Sequence, residues 1–318
     1  MLGELLSRRV VFVAGKGGSG KTTISAALAL LAARAGRRVL CIEVDAKGDL
    51  SRSLGSPPVG FTPRVVQPNI SVLALHPEES LQEYLRLYFK VPRITRLTPL
   101  ARVFDFVATG VPGAKDMLIV GKIAYEAKRS GSDGPMWDLI IVDSTATGHV
   151  VPQLGAPRAM RELTRGGIIR SQTEWIDALL TDQRRTLMTI CALPEEMPVV
   201  EALELAERVR GEANVTIGAC FLNCTFPVSI TPRYVAMLNR LADSKLAGVS
   251  AERLGGDVAS VVQGVRLAQQ LYDRSQQYAR RLRSAMNAPV VEITLEAGAR
   301  PGLSATRAVA ARIGEASR

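Results

Sequence analysis

Nine consecutive residues near the start of the chain constrain its fold more than any other stretch. They read Gly15-Lys16-Gly17-Gly18-Ser19-Gly20-Lys21-Thr22-Thr23, with the spacing G-x-x-x-x-G-K-T of a phosphate-binding loop. An apolar run, Val10 to Ala14, precedes them, and an alanine- and leucine-rich run, Ile24 to Ala35, follows and stops at Gly36. This order predicts a strand, a tight loop and a helix. The context makes the motif far more specific than its bare pattern.

Each residue type in the loop suits phosphate binding. Glycines let the backbone turn its N–H groups toward one concavity, and the start of the following helix favours anionic charge. We expect Lys21 to reach the β- and γ-phosphates of ATP and the Thr22 hydroxyl to hold Mg²⁺. Lys16 is an additional cation, either solvated or used at the site. The alternative at this point is a glycine-rich turn without a ligand.

Alternating strand and helix patterns predict an α/β fold, a doubly wound, mostly parallel sheet in a single P-loop domain over residues 1–318. We expect the carboxyl end of the second strand to lie beside the phosphate loop. Residues 56–68 are predicted to form a loop, and helical spacing predicts insertions that form a subdomain at about 77–134 and 152–186. The strands are predicted at residues 10–14, 38–44, 70–75, 137–143, 186–193, 215–223 and 289–295.

Acidic residues follow two of these predicted strands. Asp45 comes after the second strand, where it can orient water or reach the metal shell; the alternative is an N-cap of a helix. Asp143 ends a continuous apolar strand, which is the position that holds Mg²⁺ directly or through water. The next residues include Thr147, Gly148 and His149, a loop able to sense the γ-phosphate. We expect a structural or switch role for His149, with a catalytic base as the alternative.

Asn223 ends another predicted strand. Its amide could read an adenine edge at the carboxyl end of the sheet. The alternative is a turn residue ahead of Pro227.

Composition limits the classes of partner. The net charge is +10, and basic residues outnumber acidic ones between Arg86 and Arg129. Such charge favours phosphates, nucleic acid or anionic membranes, but it also suits ordinary solvated surface, and we expect no specific binding of nucleic acid. The sequence has no apolar run of membrane-spanning length, and because Glu4 and a strand leading into the phosphate loop occupy its start, we expect no signal peptide. We therefore expect a cytoplasmic protein, with a peripheral position at the inner face of the membrane left open.

The cysteines predict reduced thiols of the core. Cys41, Cys191 and Cys220 lie in apolar runs that are typical of buried strands, and Cys224 follows close behind. No histidine or acidic residue lies near Cys220 and Cys224 in sequence. A zinc site is therefore not expected, and free thiols are typical of cytosolic proteins.

With these motifs in place, the chain resembles the ArsA/GET family, which comprises arsenite-pump ATPases and the ATPases that target tail-anchored membrane proteins. The resemblance covers nearly the whole chain. It is carried by the phosphate loop with its extra lysine, by a first-switch aspartate, by a T-G-H second switch, by a proline-rich turn and by the family's adenine-contacting position: Lys16 to Thr23, Asp45, Asp143 with Thr147 to His149, Leu193 to Pro198, and Asn223.

The resemblance implies an ATP hydrolase that uses ATP and Mg²⁺ and works as a dimer of identical chains or with a paralogue. It implies that Asp45 orients the attacking water, that Lys21 neutralises phosphate charge, and that Lys16 reaches the nucleotide of the partner subunit. The helical insertions would bind a hydrophobic client or a membrane-associated partner.

The sequence also departs from the family. The first switch reads Asp45-Ala46-Lys47-Gly48 instead of D-P-A-H, and Ala146 replaces the proline of the second switch. The C-x-x-C zinc pair of the eukaryotic targeting factors and the metalloid-binding cysteines of the pump have no counterparts, and the chain has one phosphate loop where the pump ATPase has two. Two other functions therefore stay open, a partition-type ATPase acting on DNA or membrane and the energising subunit of an anion pump.

Overall fold

Eight strands form one sheet in the computed structural model, which describes residues 1–89, 113–132, 134–164, 166–227, 230–242, 258–296, 298 and 300–316. The strands are β1 Val10–Gly15, β2 Val39–Glu43, β3 Arg64–Gln67, β4 Ile70–Ala74, β5 Ser130–Gly131, β6 Gly134–Pro135, β7 Leu139–Asp143, β8 Thr186–Ala192, β9 Ile217–Thr225 and β10 Val290–Thr294. Their order is β10-β9-β8-β1-β7-β2-β4-β3, with β5 and β6 forming a separate small hairpin. Only β3 and β4 pair antiparallel within the large sheet.

Helices cover both faces of this sheet. They are α1 Leu2–Ser7, α2 Lys21–Arg34, α3 Asp49–Ser53, α4 Pro77–Phe89, α5 Ala114–Lys128, α6 Thr147–Leu163, α7 Gly167–Thr181, α8 Glu196–Arg208, α9 Pro232–Ala242, α10 Val258–Ala285 and α11 Leu303–Ala316. None of these described helices is both long enough and apolar enough to cross a bilayer.

The strand period of two divides the core into two layers. Val10 and Phe12 of β1 pack with the layer that contains α5, α6, α7 and α8. Val11 and Val13 point to the opposite face, where α1, α2, α3 and α11 pack. Because both faces are covered, the central strands are apolar throughout. The helix α2 is rich in buried alanine because it lies between the sheet and α11.

The predicted α/β fold with a mostly parallel sheet is confirmed. Each predicted strand is present, and the break between α6 and α7 falls at Gly166-Gly167. The predicted loop at 56–68 is wrong in part, since its end forms the antiparallel edge strand β3. The strand β7 lies between β1 and β2, so β2 is one strand further from the phosphate loop than the sequence indicated.

Several smaller elements were not predicted. The helix α1 and the hairpin of β5 and β6 are short, and the hairpin lies inside the stretch interpreted as a purely helical insertion. The apolar spacing of residues 231–247 predicts a helix, which is present as α9, and the last residues of this stretch lie outside the described part of the chain. Much of the basic stretch, residues 90–112, also lies outside it.

The first insertion contains a buried polar cluster centred on Glu126, a fully buried side chain of α5. Its carboxylate accepts hydrogen bonds from Lys122 Nζ at 2.9 Å, Arg129 Nη1 at 2.9 Å and Trp137 Nε1 at 3.1 Å. Lys122 is itself buried and bonds to Glu83 of α4 at 2.7 Å. The cluster therefore joins α4 and α5 to Trp137, which lies two residues before β7.

We predict that Glu126→Ala lowers the free energy of unfolding by about 3 kcal/mol or more, because it leaves the buried Lys122 with one partner fewer and Trp137 without its acceptor. Equilibrium denaturation in urea measures the change. Glu207→Ala, at an exposed position of α8, is the matched control and should change stability by less than about 0.5 kcal/mol. Equal stabilities for the two variants would show that the cluster does not hold the insertion in place.

Candidate functional site

The phosphate loop joins β1 to α2 and is shaped by two close approaches of backbone. A Cβ atom at Gly15, whose φ is +148°, would lie 2.2 Å from the carbonyl oxygen of Cys191. A Cβ at Gly20, with φ +90°, would lie 2.2 Å from Nδ2 of Asn223. A side chain at Gly15 would collide with the backbone of β8, and one at Gly20 would displace the Asn223 amide in a left-handed conformation that favours glycine.

Hydrogen bonds within the loop converge on one carbonyl. The carbonyl oxygen of Lys16 accepts from the backbone N–H of Ser19 at 3.2 Å, from its Oγ at 2.9 Å and from Lys21 Nζ at 3.2 Å. The Ser19 carbonyl in turn accepts from Asn223 Nδ2 at 3.1 Å. The loop thus has a fixed curvature, with Gly17 and Gly18 exposed at its tip.

Asn223 lies inside β9, so the alternative of a turn residue is wrong. Its amide holds the phosphate loop through the Ser19 carbonyl. The predicted contact with adenine is compatible with this position and stays a prediction.

The carboxylate of Asp143 lies directly behind the start of α2. Thr22 Oγ1 donates to its Oδ2 at 2.7 Å, and Ser25 Oγ donates to its Oδ1 at 3.1 Å. Burial raises the pKa of Asp143 to about 6, against the lowering effects of these two hydrogen bonds and of the nearby Lys21. At neutral pH the group is mostly ionised, as a carboxylate that serves a metal ion must be.

The residues present fit a bound Mg²⁺ and nucleotide. Thr22 and Asp143 bring a hydroxyl and a carboxylate together, which are the oxygen donors that Mg²⁺ takes. The Oγ of Ser144 and the Oγ1 of Thr145 are buried without a partner among the described residues. Buried hydroxyls normally have a hydrogen-bond partner, and phosphate oxygens or metal-bound waters at this edge would supply one.

Glu43 also belongs to the site and was not predicted from the sequence. It ends β2, is buried, and is the register neighbour of Asp143 on β7. Its carboxylate accepts the backbone N–H groups of Gly48 at 3.0 Å, Asp49 at 2.7 Å and Leu50 at 3.3 Å. An acid at the last position of a strand, with a glycine five residues later, was the available signal.

Asp45 lies in the loop that Glu43 shapes. It is exposed and forms an ion pair with Lys47 at 3.6 Å. The residue at the N-cap of α3 is Gly48, and Glu43 satisfies the free N–H groups there. The alternative of Asp45 as an N-cap is therefore wrong, and its carboxylate remains available to solvent.

Lys16 is held by another helix of the same chain. Its Nζ lies 2.5 Å from Oε1 of Glu201 on α8, with the two side chains 37% and 26% exposed. Lys16 is therefore neither fully solvated nor directed at its own phosphate loop.

The T-G-H residues form the first turn of α6, with the N–H of His149 donating to the Ala146 carbonyl at 3.1 Å. Gly148 and His149 are exposed, and Thr147 is partly buried. Burial raises the pKa of Asp116 on α5, and the nearby His149 opposes that shift. The first turn of α6 therefore lies close to Asp116, and α5 and α6 pack against each other.

The thiols are free and separate from this chemistry. Cys41, Cys191 and Cys220 are buried, and burial raises the pKa of each, that of Cys220 to about 12. Cys224 is half-buried, with a pKa that is also raised. Within the described ranges, no three histidine, cysteine or acidic side chains group as a metal site.

Known proteins share both the motif and much of the chain. Residues 8–172 match the anion-transporting ATPase family. The chain is 31% identical over 234 residues to the ATPase BagA of Mycobacterium tuberculosis, covering 72% of this chain and 68% of that protein.

Two further relatives align over shorter lengths. ATPase get3 of Schizosaccharomyces japonicus is 29% identical over 161 residues, or 50% of this chain and 47% of that protein. The putative arsenical pump-driving ATPase 2 of Aquifex aeolicus is 30% identical over 158 residues, or 49% of this chain and 50% of that protein.

The family match covers more than half of the chain and includes the phosphate loop, Asp45, Asp143 and the T-G-H turn. The chain belongs to the anion-transporting ATPase family and is a P-loop enzyme that hydrolyses ATP.

Proposed function

We propose that the protein is an Mg²⁺-dependent ATPase of the ArsA/GET type, in which closure of a dimer over ATP is coupled to binding and release of a hydrophobic client. The observation that carries the ATPase half is the pairing of Thr22 with the buried carboxylate of Asp143 behind the phosphate loop. Free buried thiols suit a reducing compartment, so we place the protein in the cytoplasm.

The residues of one chain divide the work of hydrolysis. Lys21, which bonds to a loop carbonyl, exchanges that bond for phosphate oxygens. Thr22 and Asp143 hold Mg²⁺, which when bound neutralises phosphate charge and fixes the geometry of transfer. Asp45, exposed on the loop after β2, orients the attacking water. No covalent intermediate is required, because positioning and charge stabilisation suffice for this reaction.

Lys16 acts on the nucleotide of a second subunit. Lys21 already occupies the position next to its own phosphates, and Lys16 is directed away from them. In a two-fold dimer with facing phosphate loops, each Lys16 can meet the partner's nucleotide. The partner is an identical chain or a paralogue.

A cavity in the helical insertions suits the client. It lies between α4, α5 and α7, has a volume of about 440 Å³ and is lined mainly by apolar side chains, which include Leu81, Leu87, Met117, Leu118, Trp175 and Ile176. Lys128 lies over the Trp175 ring at 5.3 Å. Cavities of this size and lining are typical of binding sites.

The volume limits how a client can be held. One turn of an α-helix, about 5.4 Å high and 10 Å wide, fills roughly 420 Å³. The cavity is therefore comparable in volume to about one helical turn, so the remainder of a bound segment would lie outside it. Asp116 and His149 relate this insertion to the second switch, which is the route by which nucleotide state would change the cavity.

Asp45→Asn should bind ATP with near-normal affinity but turn over about 10²-fold more slowly, because the amide cannot accept the proton of the attacking water. Lys21→Ala should instead lose nucleotide binding. Titration with a fluorescent ATP analogue and steady-state turnover separate the two effects. Asp49→Asn, an equivalent change four residues further on, is the control and should retain activity; normal turnover in Asp45→Asn would exclude a catalytic role for Asp45.

Lys16→Ala should keep ATP affinity but lower turnover by about 10³-fold, as expected for a cation supplied in trans. Mixing it with Lys21→Ala should restore about a quarter of the wild-type rate, because random pairing makes half of the dimers mixed and each mixed dimer has one competent site. Turnover of each variant alone and of the mixture is the measurement. No recovery on mixing, or a protein that stays monomeric with ATP and Mg²⁺, would contradict the in-trans role.

Leu118→Gln should weaken binding of an apolar ligand about tenfold, because it places an amide in the cavity wall and removes apolar contact area. The probe is a fluorescein-labelled helical peptide with one apolar turn between polar ends, followed by anisotropy with and without ATP. Leu163→Gln, at a leucine that is 66% exposed outside the cavity, is the control. Equal affinities for both variants, or no binding by the wild type, would argue against the client site.

A further inference from the structure

The ion pair of Lys16 with Glu201 links two regions that lie 185 residues apart in sequence. The Nζ and Oε1 atoms lie 2.5 Å apart, so the two side chains are in direct, charge-assisted contact. The ion pair therefore keeps the ammonium group of Lys16 bound to the same chain. A lysine held in this way cannot at the same time contact a nucleotide in another subunit.

Glu201 is well placed to hold a flexible side chain. It belongs to α8, whose Val199, Ala202 and Leu205 are buried against the sheet, so its backbone is fixed. Lys16 extends from the phosphate loop with several freely rotating bonds. Glu201 therefore sets where the Lys16 ammonium group lies when the chain is alone.

We propose that Glu201 is a positioning residue that retains Lys16 in the resting chain and releases it when the dimer closes over ATP. The inference rests on the in-trans role of Lys16 proposed above. On closure, Lys16 exchanges one partly exposed carboxylate for the greater negative charge of the partner's nucleotide. The exchange favours closure only when that nucleotide is present, so Glu201 makes dimer formation depend more steeply on ATP.

The size of the effect follows from the exposure of the pair. Ion pairs between side chains that water still reaches contribute modestly. Loss of the pair should therefore favour closure. The protein concentration that gives half-maximal turnover should fall by about two- to fivefold. A change of this size is measurable and does not require the chain to be destabilised.

Glu201→Gln keeps the shape of the side chain and removes its charge. We expect this variant to reach half-maximal turnover at a protein concentration about two- to fivefold lower than wild type, with Glu201→Asp in between. Sedimentation velocity with ATP and Mg²⁺ should show the same shift toward dimer. Glu207→Gln removes an exposed carboxylate from the same helix and is the matched control, with no shift expected.

The double variant Lys16→Ala/Glu201→Gln tests whether Glu201 acts through Lys16. It should behave like Lys16→Ala alone, since the charge of Glu201 then has nothing to hold. An additive effect of the two substitutions would overturn the proposal. So would a change in the KM for ATP with no change in concentration dependence, because that result indicates a merely structural role.

The outcomes also separate this inference from the proposed function. Slow turnover in Lys16→Ala together with wild-type behaviour in Glu201→Gln would remove only the role of Glu201. Normal turnover in Lys16→Ala would remove the in-trans mechanism itself, and the role of Glu201 with it.

Discussion

Two carboxylates buried side by side at the carboxyl edge of the sheet are the constraint on which the site depends. Glu43 ends β2 and Asp143 ends β7, and the two are neighbours in the parallel register. Buried carboxylates need hydrogen-bond donors. Asp143 takes two hydroxyls from α2, while Glu43 takes three backbone N–H groups from the segment after β2. Satisfying both acids therefore fixes the phosphate-binding helix and the loop of Asp45 at one edge.

Much of this arrangement could be predicted from the sequence because its signals are local. The phosphate loop can be recognised in the sequence because its close contacts and positive φ angles favour glycine at positions 15 and 20. Continuous apolar runs predicted the central strands, because a parallel sheet covered on both faces needs apolar residues throughout. The edge strand β3 was not predicted, because it is partly exposed and antiparallel and therefore lacks a continuous apolar run.

What the sequence could not supply are relations between residues distant in the chain. The place of β7 between β1 and β2 is decided by how the whole sheet packs, and no local pattern encodes it. The bond from Asn223 to the Ser19 carbonyl spans 204 residues, and the pair of Lys16 with Glu201 spans 185. Residue types indicated that Lys16, Ser19 and Asn223 belong to a site. Only the fold determines which residue each of them contacts, because the sequence contains many other acidic and amide side chains.

The helix α5 of the first insertion lies close to elements of the nucleotide site at both of its ends. Near its end, the Ala127 carbonyl accepts hydrogen bonds from Arg9, the residue just before β1, with the Nε contact at 3.0 Å. Near its start, Asp116 lies close to His149, which is in the first turn of α6. The strand β1 ends in the phosphate loop, so α5 is tied to one end of that strand and faces the switch at the other. In the proposed function, a displacement of the first turn of α6 would act on a helix anchored at its far end, and tilting that helix would change the cavity that it lines.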